Sequence, residues 1–227
     1  MTPRDTADID KEQWRRWGGM AALAVAVGYV AIIPMFAWVG APPTSGEAWF
    51  RYLAGKSTAW WVILWLSVTT DLCYLPVVWA LYLGLREAGR GLMRAALLLL
   101  HLFVALDLAV TWTHHASILA LYRRYAAESD AAHRAAYVAA SEYASSIYAT
   151  PLLTFYIIVI PSLGVLLASI TMIKARFGKA IAWTGVITGV FGLLSLTGFF
   201  PLVMANALGG TLWFFLVGTR LLRKDTK

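Results

Sequence analysis

Apolar residues run along this chain in long blocks. Six stand out, at 18–39, 60–85, 95–122, 147–173, 181–196 and 202–222. A helix crosses a bilayer with about 20 largely apolar residues. The fifth block is short but continues into Thr197-Gly198-Phe199-Phe200. The pattern predicts an all-α membrane protein: a six-transmembrane-helix bundle over 18–222. An interfacial segment at 1–17 precedes it and a basic tail at 223–227 follows it. The blocks use most of the chain, so no soluble domain fits beside them.

The stretches between blocks add detail. Within the first 17 residues, 8–17 read as a short interfacial helix ending in Trp14 and Trp17, side chains that suit the headgroup layer. After the first block comes Ala41-Pro42-Pro43-Thr44-Ser45-Gly46, then the aromatic segment Glu47-Ala48-Trp49-Phe50-Arg51-Tyr52-Leu53. We expect a short helix lying on the outer face. Before the fourth block, Ser129-Asp130 offers a helix cap. The alanine-rich stretch that follows puts Tyr137, Ser141, Ala144 and Tyr148 on one stripe. This predicts a helical extracellular extension before span four, with Pro151 and Pro161 able to kink that span. In span five, Gly185 and Gly189 form a GxxxG pair, which lets helices approach closely within the bundle or between protomers of a homo-oligomer. Spans five and six should form a hairpin turning near Phe200-Pro201.

Composition supports this reading. The chain is 60% hydrophobic and 14% charged, against about 25% charged in soluble domains. A net charge of +7 could suggest nucleic acid, but its distribution argues otherwise. With the amino terminus inside, Arg4, Lys11, Arg15, Arg16, Arg86, Arg90, Arg94, Lys174, Arg176, Lys179, Arg220, Arg223, Lys224 and Lys227 fall inside. Only Arg51, Lys56, Arg123, Arg124 and Arg134 fall outside. That asymmetry follows the positive-inside rule and predicts both termini cytoplasmic, in the cytoplasmic membrane. Cys73 is the lone cysteine, so no intramolecular disulfide can form.

Candidate chemistry lies at mid-span. Asp71 and Asp107 each fall near the midpoint of their block. An ionised carboxyl there costs roughly 2.5–3.5 kcal/mol, and an intramembrane ionisable residue is by default a functional hypothesis. At about 100° per residue, Asp107, Thr111 and His114 share one stripe, flanked by His115 and His101. Span two contributes Ser67, Thr69, Thr70, Asp71, Cys73 and Tyr74. A short basic loop joins spans two and three, so the carboxyls should face each other. Two such groups in a low dielectric favour one shared proton over two charges. Asp71, Asp107, Thr70, Thr111, His114 and His101 are therefore the candidate ligand- or proton-binding set, and Asp71 and Asp107 the candidate catalytic acids.

Several chemistries are not expected. Adjacent helical residues diverge by about 100°, so His114 and His115 do not suit one metal ion. His101 lies 13 and 14 residues before them, as haem ligands can. His133, the remaining histidine, falls outside the spans, so haem lacks partner ligands on a second helix. No P-loop, Rossmann fingerprint, GxSxG elbow or HExxH motif is present. Span three has no lysine to hold retinal.

Four stretches resemble a bacterial family of small polytopic membrane proteins catalogued only as a domain of unknown function. They are the first span with its amphipathic loop segment; the acidic second span leading to Val77-Val78-Trp79-Ala80-Leu81-Tyr82-Leu83-Gly84-Leu85; the basic turn Ile173-Lys174-Ala175-Arg176-Phe177-Gly178-Lys179; and the closing Trp213-Phe214-Phe215-Leu216-Val217-Gly218-Thr219-Arg220-Leu221-Leu222. The resemblance implies a helical bundle in the cytoplasmic membrane and supplies no substrate. The expected function is a transporter, or a binder of membrane lipids or a hydrophobic small molecule, with a protonatable centre. The alternatives are an enzyme acting on a lipid or isoprenoid, with Asp71 or Asp107 as acid in a cavity walled by Trp65, Trp79, Trp112 and Tyr74, and a non-catalytic accessory subunit.

Overall fold

A computed structural model describes residues 3–223, with side chains from residue 11 onward. Among the described residues there are helices and turns but no strands. The helices are α1 (Pro3–Val39), α2 (Gly46–Leu53), α3 (Ser57–Leu106), α4 (Thr113–Ala127), α5 (Ala131–Ser145), α6 (Pro151–Thr154), α7 (Ile160–Lys174), α8 (Lys179–Leu194) and α9 (Phe200–Leu222). Five continuous helical stretches are long and apolar enough to cross a membrane: Lys11–Val39, Ser57–Ala127, Pro151–Lys174, Lys179–Thr197 and Phe200–Leu222. This is a helical membrane protein.

The second stretch holds 71 residues. At 1.5 Å per residue a straight rod of that length would run to about 105 Å, more than three bilayer cores. It is not straight. The helix breaks at Gly89 (φ −172°, ψ 68°), and its two arms fold back on each other. The rings of Tyr74 and Phe103 lie 5.2 Å apart, and Trp112 reaches Asp71. Both pairings place the reversal at Gly89. A Cβ at Gly89 would sit 3.1 Å from Thr171 Cγ2, so the absent side chain lets the turn seat on α7.

Three local differences from the sequence reading have physical causes. The amino-terminal segment is not a separate interfacial helix. α1 runs unbroken through Gly18-Gly19, and Trp14 packs edge-on against Trp79 of α3. The helix before span four forms as α5, capped by Asp130, which accepts from the His133 amide at 2.9 Å. It is not continuous with that span. Pro151 disfavours helical geometry in the residue before it, and Thr150 is extended (φ −102°, ψ 143°). Pro161 lacks an amide hydrogen, and the span widens just ahead of it into a π-helical turn, Phe155–Val159.

The glycine pair of span five works inside the bundle. A Cβ at Gly189 would lie 2.7 Å from Leu166 Cβ, and one at Gly185 would overlap Ser169 and Trp213. α8 is thus wedged between α7 and α9. Asn206 of α9 closes this junction, donating to Ser162 Oγ at 3.1 Å and to the Thr188 carbonyl at 2.9 Å.

Two apolar clusters result. The larger fills the centre and the Gly89 end, with Val25, Val77, Leu81, Met93, Leu100, Met172 and Val217 buried together. The second fills the opposite, cap end. There α2 does not simply lie across the bundle: Trp49 and Leu53 are fully buried against Trp60, Ile63 and Ile118. Ser45 makes no side-chain cap to α2. Glu142 of α5 fills that role, accepting from the Gly46 amide at 2.5 Å, so α5 holds α2 in place.

Candidate functional site

Folding α3 back at Gly89 brings the two mid-span carboxyls together. Asp71 is 4% exposed and Asp107 5%, and their side chains lie within hydrogen-bonding reach of each other. Two carboxylates are acceptors only, so this contact becomes a bond when one carries a proton. Asp71 Oδ2 also accepts from Trp112 Nε1 at 2.8 Å. Thr111 lies alongside Asp107. Asp107 Oδ1 and Thr111 Oγ1 are buried without a hydrogen bond of ordinary geometry. Toward the Gly89 end, Tyr29 of α1 and Tyr74 of α3 join hydroxyls at 2.6 Å, within electrostatic range of both carboxyls.

The histidine in this cluster is His115, not His114. Residues Asp107–Trp112 form a π-helical turn between α3 and α4. Each residue of an i→i+5 turn advances fewer degrees than in an α-helix, so such a turn shifts the helix phase by about one residue. The stripe that would run 107, 111, 114 therefore runs 107, 111, 115. His115 is 6% exposed. Its Nδ1 lies 3.0 Å from the Thr111 carbonyl and 2.7 Å from Tyr148 Oη. Its ring stacks on Trp60 at 5.0 Å and 22°, and Trp49, Trp112 and Tyr148 close the other sides at 5.7, 5.2 and 4.6 Å.

The other predicted residues fall outside this cluster or at its margin. His114 is half-buried, its Nδ1 2.5 Å from the Val110 carbonyl of its own helix. His101 is likewise bonded back to Leu97 at 2.8 Å. Thr70 is buried but donates to Leu66 at 2.7 Å, and its hydroxyl meets Gly28 of α1. The aromatic wall also differs in membership. Trp65 faces outward and Trp79 packs against Trp14 and Tyr82, whereas Trp49, Trp60 and Tyr148 enclose His115. Trp49 and Tyr148 come from distant segments, so no spacing rule within span three could have found them. Among the described residues, no three His, Cys, Asp or Glu side chains gather in a way that could hold a metal ion.

Ahead of the apolar stretch that begins at Pro151, burial raises the Tyr148 hydroxyl well above the ordinary tyrosine value. Tyr52 is raised by burial too, with the opposing pull of the Trp60 indole, which donates to it at 3.2 Å. Both hydroxyls therefore serve the cap end as neutral hydrogen-bonding groups.

The polar groups thus form a file through an otherwise apolar bundle: Tyr148, His115, Thr111, Asp107, Asp71, then Tyr74 and Tyr29. The carboxyl pair can hold a proton, and the file can hydrogen-bond a polar head within an apolar surround. No family profile, curated protein or solved structure matches this chain.

Proposed function

We propose that this protein is a transporter or binder of a hydrophobic small molecule or lipid, operating through a proton shared by Asp71 and Asp107. In this reading the bundle crosses the cytoplasmic membrane six times, the Gly89 reversal dividing the longest apolar stretch into two spans. Both termini and the Gly89 turn lie on the cytoplasmic side, where the basic residues concentrate. α2 and α5 cap the outer side.

The carrying observation is the buried carboxyl pair, with Asp107 Oδ1 and Thr111 Oγ1 beside it lacking hydrogen bonds of ordinary geometry. Buried polar atoms are ordinarily bonded, and exceptions call for an explanation. A bonding partner of matching chemistry supplies one.

The test is to identify molecules that copurify with the wild type, Asp71→Asn and Asp107→Asn. The expected result is an apolar species with a hydrogen-bonding head, present in the wild type and lost from both variants while helical content is kept. The same bound molecules in all three, or none in any, would remove the binding reading and leave an assembly role. The aromatic box around His115 favours a second reading, acid–base chemistry on an isoprenoid. Conversion of the bound species by the wild type, absent in Asp107→Asn, distinguishes it.

A further inference from the structure

A groove of about 590 Å³ opens where α7 ends and α8 begins, at the Gly89 end of the bundle. It is lined by Met172, Ile173, Arg176, Gly178, Lys179 and Trp183. Its chemistry is split. Arg176 and Lys179 are exposed cations, and among the described residues neither makes an ion pair or a side-chain hydrogen bond. Beside them Ile173 and Trp183 are large apolar side chains, 44% and 55% exposed. No carboxylate occurs anywhere between Glu142 and Asp225, so α7, α8 and α9 carry nothing to neutralise these cations.

The backbone at Arg176 is a second, independent observation. α7 ends in a paired closure in which the Phe177 amide donates to Met172 at 3.1 Å and the Arg176 amide to Ile173 at 3.3 Å. This Schellman closure puts one residue in left-handed geometry, usually glycine. Here that residue is Arg176, at φ +52°, the one non-glycine residue with positive φ among those described. A side chain at this position costs free energy that glycine does not. Glycine would serve the turn better, so the guanidinium calls for a role other than turn formation.

We propose that this groove is a binding site for an anionic phospholipid, with the headgroup phosphate between Arg176 and Lys179 and an acyl chain along Ile173 and Trp183. The ends of two long apolar helices set the groove at headgroup depth. Basic pockets between helices at a membrane surface suit anionic headgroups, and arginine matches the planar geometry of phosphate oxygens. The apolar half of the groove selects a lipid over a soluble phosphate.

The test uses the full chain in nanodiscs containing equal phosphatidylglycerol and phosphatidylcholine, with retained lipid read by native mass spectrometry. The wild type should retain phosphatidylglycerol preferentially. Arg176→Gly and Lys179→Gln should each lower that preference about fivefold, following the contribution of one cation near an anionic surface. Arg176→Gly should also unfold at the same or a higher temperature, since glycine suits the turn. Arg90→Gln, a cation at the same end outside the groove, should change the preference less than twofold. Three results would overturn the proposal: no preference in the wild type, an Arg90→Gln effect as large as that of Arg176→Gly, or full displacement of the lipid by glycerol phosphate.

Discussion

Trp112 donates its indole N–H to Asp71 Oδ2 at 2.8 Å, joining the two arms of the folded-back helix at the carboxyl pair. A half-buried tryptophan thus supplies a fixed donor to a carboxyl that water scarcely reaches. Removing the donor as Trp112→Phe leaves a buried acceptor unmatched. We expect a loss of about 1–3 kcal/mol, measured by unfolding in detergent. A double-mutant cycle with Asp71→Asn should show coupling between the two positions. Additive losses would mean the bond contributes nothing.

The shared proton has a spectroscopic signature. Two carboxyls within bonding reach in a low dielectric should not both be charged. Infrared difference spectra of wild type against Asp107→Asn at pH 6–7 should show loss of a protonated-carboxyl band. If no such band is lost, the proton-linked reading should be abandoned.

Helix packing gives a matched pair of glycine tests. A Cβ at Gly192 would overlap Ser162 and Asn206, whereas one at Gly84 meets nothing within 4 Å. Gly192→Ala should cost about 1–3 kcal/mol, as overpacking does. Gly84→Ala should be neutral or stabilising by up to about 1 kcal/mol. Thermal unfolding of both variants decides it, and equal effects would contradict the α7–α8–α9 packing.

Alkaline pH should loosen the cap end first. Burial raises the Tyr148 hydroxyl above an exposed tyrosine's value of about 10. The native state therefore binds that proton more tightly than the unfolded chain does. The resulting stability is fully present below about pH 10 and fades as pH climbs toward the folded value. Fluorescence from the cap-end tryptophans should change above that point, and Tyr148→Phe should move the change to higher pH. An identical alkaline transition in the variant would contradict the assignment.

Orientation can be read by labelling in a Cys73→Ser background. Thr44→Cys and Ser129→Cys should react with an impermeant thiol reagent from outside the cell, and Arg90→Cys only after the membrane is opened. The reverse pattern would invert the proposed topology.

Much of this arrangement was legible in the linear chain, for identifiable reasons. Charge in an apolar block is conspicuous, so Asp71 and Asp107 stood out. The short basic link between their blocks implied the hairpin that joins them. Asp130 declared the start of α5 because capping is local. The choice between His114 and His115 was not legible. It depends on a π-helical turn at Asp107–Trp112 that 100° periodicity cannot register. Trp49 was visible as part of an aromatic segment between the first two apolar blocks. Its full burial against Trp60 and His115 arises only when α5 presses α2 inward, a relation between segments nearly 100 residues apart.

The widened turn at Asp107–Trp112 also gives the doubled histidine a meaning. Rewinding that turn into ordinary α geometry with no residue lost would rotate the following helix by about 100°. His115 would swing away from the carboxyls and His114 would come round in its place. Two histidines in succession therefore tolerate a change between π and α winding at this turn. Whichever winding the helix adopts, an imidazole is delivered to the same interior position.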